Sequence, residues 1–246
     1  MQTLKNKIIL ITGASKGIGR AAAIAFAKED CTVIVNFKSD SQAAQNVVNE
    51  CNKYSQGNMA IKADISDEEA VSSMFKTLKE KFSHLDILIN SAGIFIEGDN
   101  YANIEIFTKI FKNNFLGCVL VTKYALSLMT QGKIVNVSSI NGRLGYGESD
   151  SIAYSSFKAA LDNYTKNLAK ELAPKILVNA VAPGRVATAM WGNPTFEEQK
   201  ELGKAHLTKK MIQPEEIADA ILFLVKNDAM CGEILTIDAG NSLANI

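Results

Sequence analysis

Short runs of apolar residues alternate along the chain with longer stretches in which apolar positions recur every three or four residues. The runs at 7–12, 31–36, 58–63, 86–91, 132–138, 176–181 and 233–238 are rich in Ile, Val and Leu, most without polar alternation. Strands of that kind are buried on both faces, as in a parallel sheet. The stretches 17–29, 40–54, 67–81, 102–129, 152–173 and 214–227 predict helices. Ser66 reads as the N-cap of the third, with Glu69 in capping-box register, and Pro214 sits where a first helical turn tolerates proline. Because strand-to-strand crossovers are right-handed, the order predicts an α/β, doubly wound sheet of about seven parallel strands with helices on both faces. Ligands then bind at the carboxyl ends of the strands. The segment 188–213 follows no clear strand or helix pattern, carries Met190, Trp191 and Phe196, and suits a lid over that crevice.

No tandem repeat, low-complexity tract or linker interrupts the 246 residues, so residues 1–246 read as one domain. Charge changes the picture by exclusion. With 26 Lys+Arg against 26 Asp+Glu, the chain lacks the cationic excess of a nucleic-acid or acidic-membrane binder. The first apolar run is too short for a leader or a membrane span, which implies a cytoplasmic protein. Cys31, Cys51, Cys118 and Cys231 are widely separated and form no CxxC, so buried reduced thiols are expected and no metal site. His84 and His206 read as surface or helix-end residues.

Two constellations carry chemistry. After the first strand comes Thr12-Gly13-Ala14-Ser15-Lys16-Gly17-Ile18-Gly19, opening a helix. A glycine turn there brings backbone N–H groups and a helix N-terminus close to a pyrophosphate. The second is Tyr154 with Lys158, four residues apart on one helical face. A phenol of pKa about 10 exchanges protons poorly near neutrality, and a neighbouring ammonium favours its phenolate. Ser139 and Ser138 end the fifth strand at the same sheet edge, and strand alternation lets only one of them face the site.

These motifs, with Asp64, Asn90-Ser91-Ala92-Gly93, Asn114 with Gly117, Ser138-Ser139 and Pro183-Gly184 with Thr188, give the chain a resemblance to the short-chain dehydrogenase/reductase family over nearly its whole length. The resemblance implies a Rossmann fold and a reaction in which Tyr154 exchanges the proton and Ser139 holds the substrate oxygen. It also implies that Lys158 bonds the nicotinamide ribose and that Asn114 kinks a helix and holds a water in a proton relay. Asn113 reads as a capping or surface residue. By the same resemblance Gly13, Ser15, Gly17, Ile18 and Gly19 hold the pyrophosphate, and Asp64 and Ile65 the adenine. Asn90, Ala92 and Gly93 support the adenosine and ribose, while Pro183, Gly184, Val186 and Thr188 hold the nicotinamide carboxamide.

The second strand ends Asn36-Phe37-Lys38-Ser39. NAD-preferring relatives carry Asp where this chain has Phe37. Lys16 and Lys38 can converge on a 2′-phosphate, with hydrogen bonds from Asn36 and Ser39, so NADP(H) is the expected cofactor. The loop after Ser139, with Ile140, Gly142, Arg143, Gly145, Tyr146 and Gly147, is expected to shape the substrate pocket. The overall pattern is closest to 3-oxoacyl-[acyl-carrier-protein] reductases. An acyl carrier protein partner needs basic residues near the ends of the two long helices, however. The first ends Met129-Thr130-Gln131, and only Lys166, Lys170 and Lys175 serve the second. Ala239 also replaces a usual glycine. A sugar, steroid or other small carbonyl is the alternative substrate, and a non-catalytic NADP(H)-binding sensor a further reading. Relatives pair two long helices across an interface, which implies a homotetramer.

Overall fold

In the computed structural model, which describes residues 3–143, 149–192 and 194–244, the apolar runs form one seven-stranded sheet. The first half comprises β1 (Ile8–Ile11), α1 (Gly17–Lys28), β2 (Thr32–Phe37), α2 (Ser41–Cys51), β3 (Met59–Lys62), α3 (Glu68–Lys81) and β4 (Ile87–Asn90). Then come α4 (Ile104–Ile110), a π-helical turn (Phe111–Leu116), α5 (Gly117–Ala125), β5 (Gly132–Val137) and α6 (Ile152–Leu172). The chain continues through β6 (Ile176–Pro183), α7 (Phe196–Gly203), α8 (Pro214–Lys226), β7 (Ile234–Ile237) and α9 (Asn241–Ala244). Strand order is β3-β2-β1-β4-β5-β6-β7, and every pair is parallel. The order reverses between β1 and β4, so the loops leaving these two strands part and open a crevice.

Alternation of side chains feeds two cores. Ile9 and Ile11 pack with Phe26 of α1, Val47 of α2 and Ile221 of α8. Leu10 points the other way, toward Phe75 of α3 and Val121 of α5. Both faces are thus covered, which is why the strands lack polar alternation. Each fully buried phenylalanine, such as Phe26 or Phe75, contributes roughly 1.5–3 kcal/mol.

Several expectations need correction. The single helix expected over 102–129 is three pieces. Asn103 caps the first through Ile106 N–H, and a π turn interrupts the ladder at 111–116. Asn113 lies in that turn, buried, its amide donating back to the Lys109 carbonyl at 2.9 Å rather than capping or facing solvent. Asp67, not Ser66, caps α3, because the Ser66 hydroxyl already donates to Asp64 at 2.7 Å. Within 188–213, α7 forms behind a Thr195–Glu198 capping box, a short-range signal that the apolar pattern did not carry. His206 is fully buried and its Nδ1 meets the Lys210 carbonyl, whereas Cys231 is exposed, unlike the other three thiols. Among the described residues no helix is long and apolar enough to cross a membrane, and no group of three or more His, Cys, Asp or Glu is placed to hold a metal ion. Tyr146, Gly145 and Gly147 lie outside the described residues.

Candidate active site

The glycine turn packs tightly because side chains have no room there. A Cβ on Gly13 would stand 2.7 Å from the Ala92 Cα, and one on Gly19 2.7 Å from the Gly13 carbonyl. Gly13 and Gly17 are also left-handed, at φ 63° and 54°. The turn therefore meets the loop after β4 at Ala92, and Thr188 from the far side, whose Cγ2 would lie 3.2 Å from a Cβ on Gly17. Thr12 reinforces this junction, its Oγ1 accepting from Ser91 and Ala92 N–H at 3.0 and 3.1 Å. The first turn of α1 holds no acidic residue, and Lys16 at its N-cap makes no side-chain cap bond. Its N–H groups, beside half-buried Ser15 and Ile18, suit an anion. The cradle therefore fits the pyrophosphate of a dinucleotide.

At the end of β2 the picture differs from expectation. Lys16 pairs with Asp40 at 2.8 Å and Lys38 with Asp64 at 2.7 Å, so each cation already faces a carboxylate. The Lys16 bond, joined by Ala43 N–H, holds the Asp40 carboxyl below its ordinary range. For Asp64, burial pushes upward, but the bonds from Lys38 and Ser66 outweigh it and the carboxyl also falls. Ser39 is exposed beside them. Asn36 faces the interior rather than the crevice. It is buried, its Oδ1 accepts from Gly13 N–H, and its Nδ2 donates to the Ile61 and Ala63 carbonyls. The Asn90 side chain also turns inward, its amide donating to Asn136 at 2.9 Å and Thr122 at 3.2 Å. Ile65 is buried against Gly117, where an added Cβ would meet its Cδ1 at 2.8 Å.

After β6, Pro183 stays in register with Ile237, and Gly184 N–H donates to the Ile237 carbonyl. A parallel bridge joins Val186 to Ile212. It uses the Arg185 carbonyl and the Ala187 N–H, so the Val186 N–H and carbonyl point away from Ile212. Those backbone groups suit a carboxamide.

On the other side of the crevice, α6 presents Tyr154 and Lys158. The Lys158 Nζ is 5.6 Å from the centre of the Tyr154 ring and donates to the Val137 carbonyl at 2.7 Å. Burial brings this lysine down to about 8. Gly93 lies beside it, an added Cβ standing 3.8 Å from Nζ and 3.6 Å from the Asn114 Oδ1. Asn114, in the π turn, uses its amide on both backbone groups of Ile94, each at 2.8 Å. Functional sites often carry such a break in the helical ladder.

Ser139 lies near the Tyr154 phenol, close enough to pull its pKa downward, and its hydroxyl accepts from Asn141 N–H at 3.2 Å. Ser138 faces the other way, onto the Lys158 carbonyl at 3.3 Å. The Tyr154 pKa does not fall as the lysine argument implied. Burial raises it, and only the nearby Ser139 hydroxyl opposes. The reason is geometric, since the ammonium lies over the ring and gives its hydrogen bond to Val137. Sequence reasoning missed Phe95, whose ring stands edge-on to Tyr154 with centroids 5.5 Å apart, and nothing local marks it. Thr12, by contrast, is legible as the residue joining strand to glycine turn.

A doubly wound sheet carrying a glycine cradle on one side of its switch point and a Ser-Tyr-Lys cluster on the other defines an oxidoreductase that uses a nicotinamide dinucleotide. The family described as enoyl-(acyl carrier protein) reductase matches residues 13–242. The chain is 35% identical to a 3-oxoacyl-[acyl-carrier-protein] reductase of Synechocystis, covering 98% of each. It is 33% identical to glucose 1-dehydrogenase 2 of Bacillus subtilis, covering 98% of this chain and 96% of that one. A short-chain dehydrogenase/reductase of Serratia marcescens superposes with a TM-score of 0.90 at 28% identity, over 98% of this chain and all of the other. The chain belongs to the short-chain dehydrogenase/reductase superfamily and is an oxidoreductase acting on CH-OH groups.

Proposed function

We propose that the chain is an NADP(H)-dependent reductase interconverting a ketone and a secondary alcohol, with a 3-oxoacyl thioester as its substrate. The observation that carries the reaction is the gathering of the Tyr154 phenol, Ser139 and, one helical turn along α6, Lys158 at the mouth of β5. Bound nicotinamide supplies the hydride. Ser139 orients the substrate oxygen, and Tyr154 gives it a proton as the alkoxide develops. Lys158, buried and near the Gly93 loop, is the group that holds the nicotinamide ribose. Asn114 fixes the Ile94 backbone and, through its π turn, serves the relay that returns the proton.

For the cofactor, Gly13, Ser15, Gly17, Ile18 and Gly19 hold the pyrophosphate and Ala92, Gly93, Asp64 and Ile65 the adenosine. Pro183, Gly184, Val186 and Thr188 hold the carboxamide end. Lys16 and Lys38 turn from Asp40 and Asp64 to the 2′-phosphate, which exposed ion pairs permit at small cost. The 3-oxoacyl reading draws on the Synechocystis relative. The sugar reading has its own support in the Bacillus subtilis glucose dehydrogenase and in the sparse basic residues at the helix ends. We further propose one domain over residues 1–246, a cytoplasmic homotetramer, and acyl carrier protein as a candidate partner.

The test is nucleotide oxidation and reduction with both NADP(H) and NAD(H), against acetoacetyl-CoA, ethyl acetoacetate, glucose and a steroid ketone. Turnover of the two 3-oxo compounds with NADPH is expected. Turnover of glucose alone selects the sugar reading, and a higher kcat/KM with NAD(H) removes the cofactor assignment.

A further inference from the structure

The helix that bears the tyrosine starts without a cap from its own chain segment. Ser151 sits at the N-cap of α6 yet makes no side-chain cap bond, its hydroxyl standing 3.1 Å from that of Ser155. The first-turn amides are met from elsewhere. Asp99, 1% exposed, accepts from Ala153 N–H at 2.9 Å through Oδ1 and from Tyr154 N–H at 2.8 Å through Oδ2. Its carbonyl accepts from Ile152 N–H at 3.3 Å. Three consecutive amides, the last belonging to the tyrosine itself, therefore close on one buried residue.

Asp99 ends the strap 94–99 that follows the β4 loop. The strap's other end is Ile94, held on both sides by the Asn114 amide. Between the two anchors, Phe95 sets its ring against that of Tyr154. A local cap would fix only the first turn of α6. A cap carried by this strap fixes that turn relative to β4, Asn114 and the substrate-side wall at once.

We propose that Asp99 is a positioning residue for the reduction: it sets the Tyr154 phenol against Ser139 and couples that position to the strap that faces the substrate. The inference rests on Tyr154 being the proton donor. A carboxylate can accept both amides, whereas an amide side chain keeps one acceptor and turns its NH₂ donors toward the other N–H. Displacing a reacting group by about 1 Å can cost on the order of 10²-fold in rate. The residue that holds the tyrosine main chain therefore acts on kcat rather than on cofactor binding.

The test compares full-length wild type with Asp99→Asn, Asp99→Ser and Tyr154→Phe. NADPH affinity is followed by fluorescence, NADPH oxidation with acetoacetyl-CoA and ethyl acetoacetate by absorbance, and Tyr154 titration by tyrosinate absorbance differenced against Tyr154→Phe. Asp99→Asn is expected to lower kcat by about tenfold or more, with KM and NADPH affinity within about twofold, and to move the Tyr154 titration upward as the phenol shifts away from Ser139. Asp99→Ser, smaller but with a hydroxyl that can rotate its proton away and accept from one amide, is expected to retain more kcat than Asp99→Asn. If Asp99→Asn fails to fold, Asp99→Ser against wild type carries the same readouts. Unchanged kcat and unchanged tyrosine titration in the folded variants, whatever the loss of thermal stability, would overturn the proposal. Activity surviving in Tyr154→Phe would instead overturn the reading of the tyrosine, and the two failures are separable.

Discussion

The two ends of the crevice use lysine in opposite ways. At the adenosine end, the Lys16 and Lys38 side chains are each 59% exposed and already paired with Asp40 and Asp64. At the chemical end, Lys158 is 4% exposed, bonds a backbone carbonyl, and titrates near 8. Water screens the first pair, so their partners exchange cheaply and their contribution to the fold is small. Burial acts on the second in full, so its charge state matters to both folding and chemistry. The same side chain thus provides adjustable recognition where solvent reaches it and a tuned group where solvent does not.

The largest test of that contrast is at the buried end. Tyr154→Phe is expected to lower kcat by about 10³-fold while NADPH binds with nearly unchanged affinity, read by steady-state kinetics and fluorescence titration. A variant retaining most of its rate would show that the proton comes from elsewhere. Next is Lys158→Met, measured as stability against pH. Lysine in the unfolded chain keeps its proton up to about 10.5, whereas the folded one loses it near 8. Between these values unfolding takes up a proton, so Lys158 gains stability for the native state as pH rises and costs it below 8. The gap corresponds to a penalty on the order of 3 kcal/mol, so Lys158→Met is expected to be the more stable protein near pH 7 and to lose that advantage by pH 10. Chemical denaturation at the two pH values checks it, and a difference that does not narrow with pH would show that the lysine is not buried as described.

Smaller effects are expected at the exposed end. Lys16→Ala and Lys38→Ala should each reduce kcat/KM for NADPH by about tenfold at low salt and leave NADH almost unaffected, the difference shrinking as salt screens the phosphate. Equal losses with both nucleotides would remove the lysines from 2′-phosphate recognition. The smallest prediction concerns Ala239, held at φ 51°, where glycine relieves the strain of a left-handed residue. Ala239→Gly is expected to change stability by no more than about 1 kcal/mol, in the stabilising direction, measured by thermal unfolding. A clear loss of Tm would mean that the Ala239 methyl group packs more usefully than its backbone angle suggests.

Much of the fold is legible in order and spacing. Strands buried on both faces must be continuously apolar, and the seven runs meet the seven strands with shifts of only a residue or two at most ends. Where the reading failed, a side chain had a competing partner. Ser66 does not cap α3 because Asp64 holds its hydroxyl. The segment 102–129 does not run as one helix because Asn113 and Asn114 direct their amides to Lys109 and to the distant Ile94. Asn36 and Asn90 stand at expected ligand positions, and in the fold their amides stitch β2 to β3 and β4 to β5. Such choices depend on which acceptor is nearest in space, and linear spacing carries no record of it.

The sequence alone therefore determined the parallel sheet, the place of its crevice, the glycine cradle and the i,i+4 spacing of Tyr154 and Lys158, because periodicity and local backbone geometry are short-range properties. Tertiary structure decided which charges are already paired, that Ser138 turns to the Lys158 carbonyl and leaves Ser139 on the side of the phenol, and that Asp99 rather than Ser151 caps the helix beneath the tyrosine. Those outcomes are set by burial and by contacts between residues far apart in the chain, where the local dielectric and the choice of hydrogen-bond partner come into being only on folding.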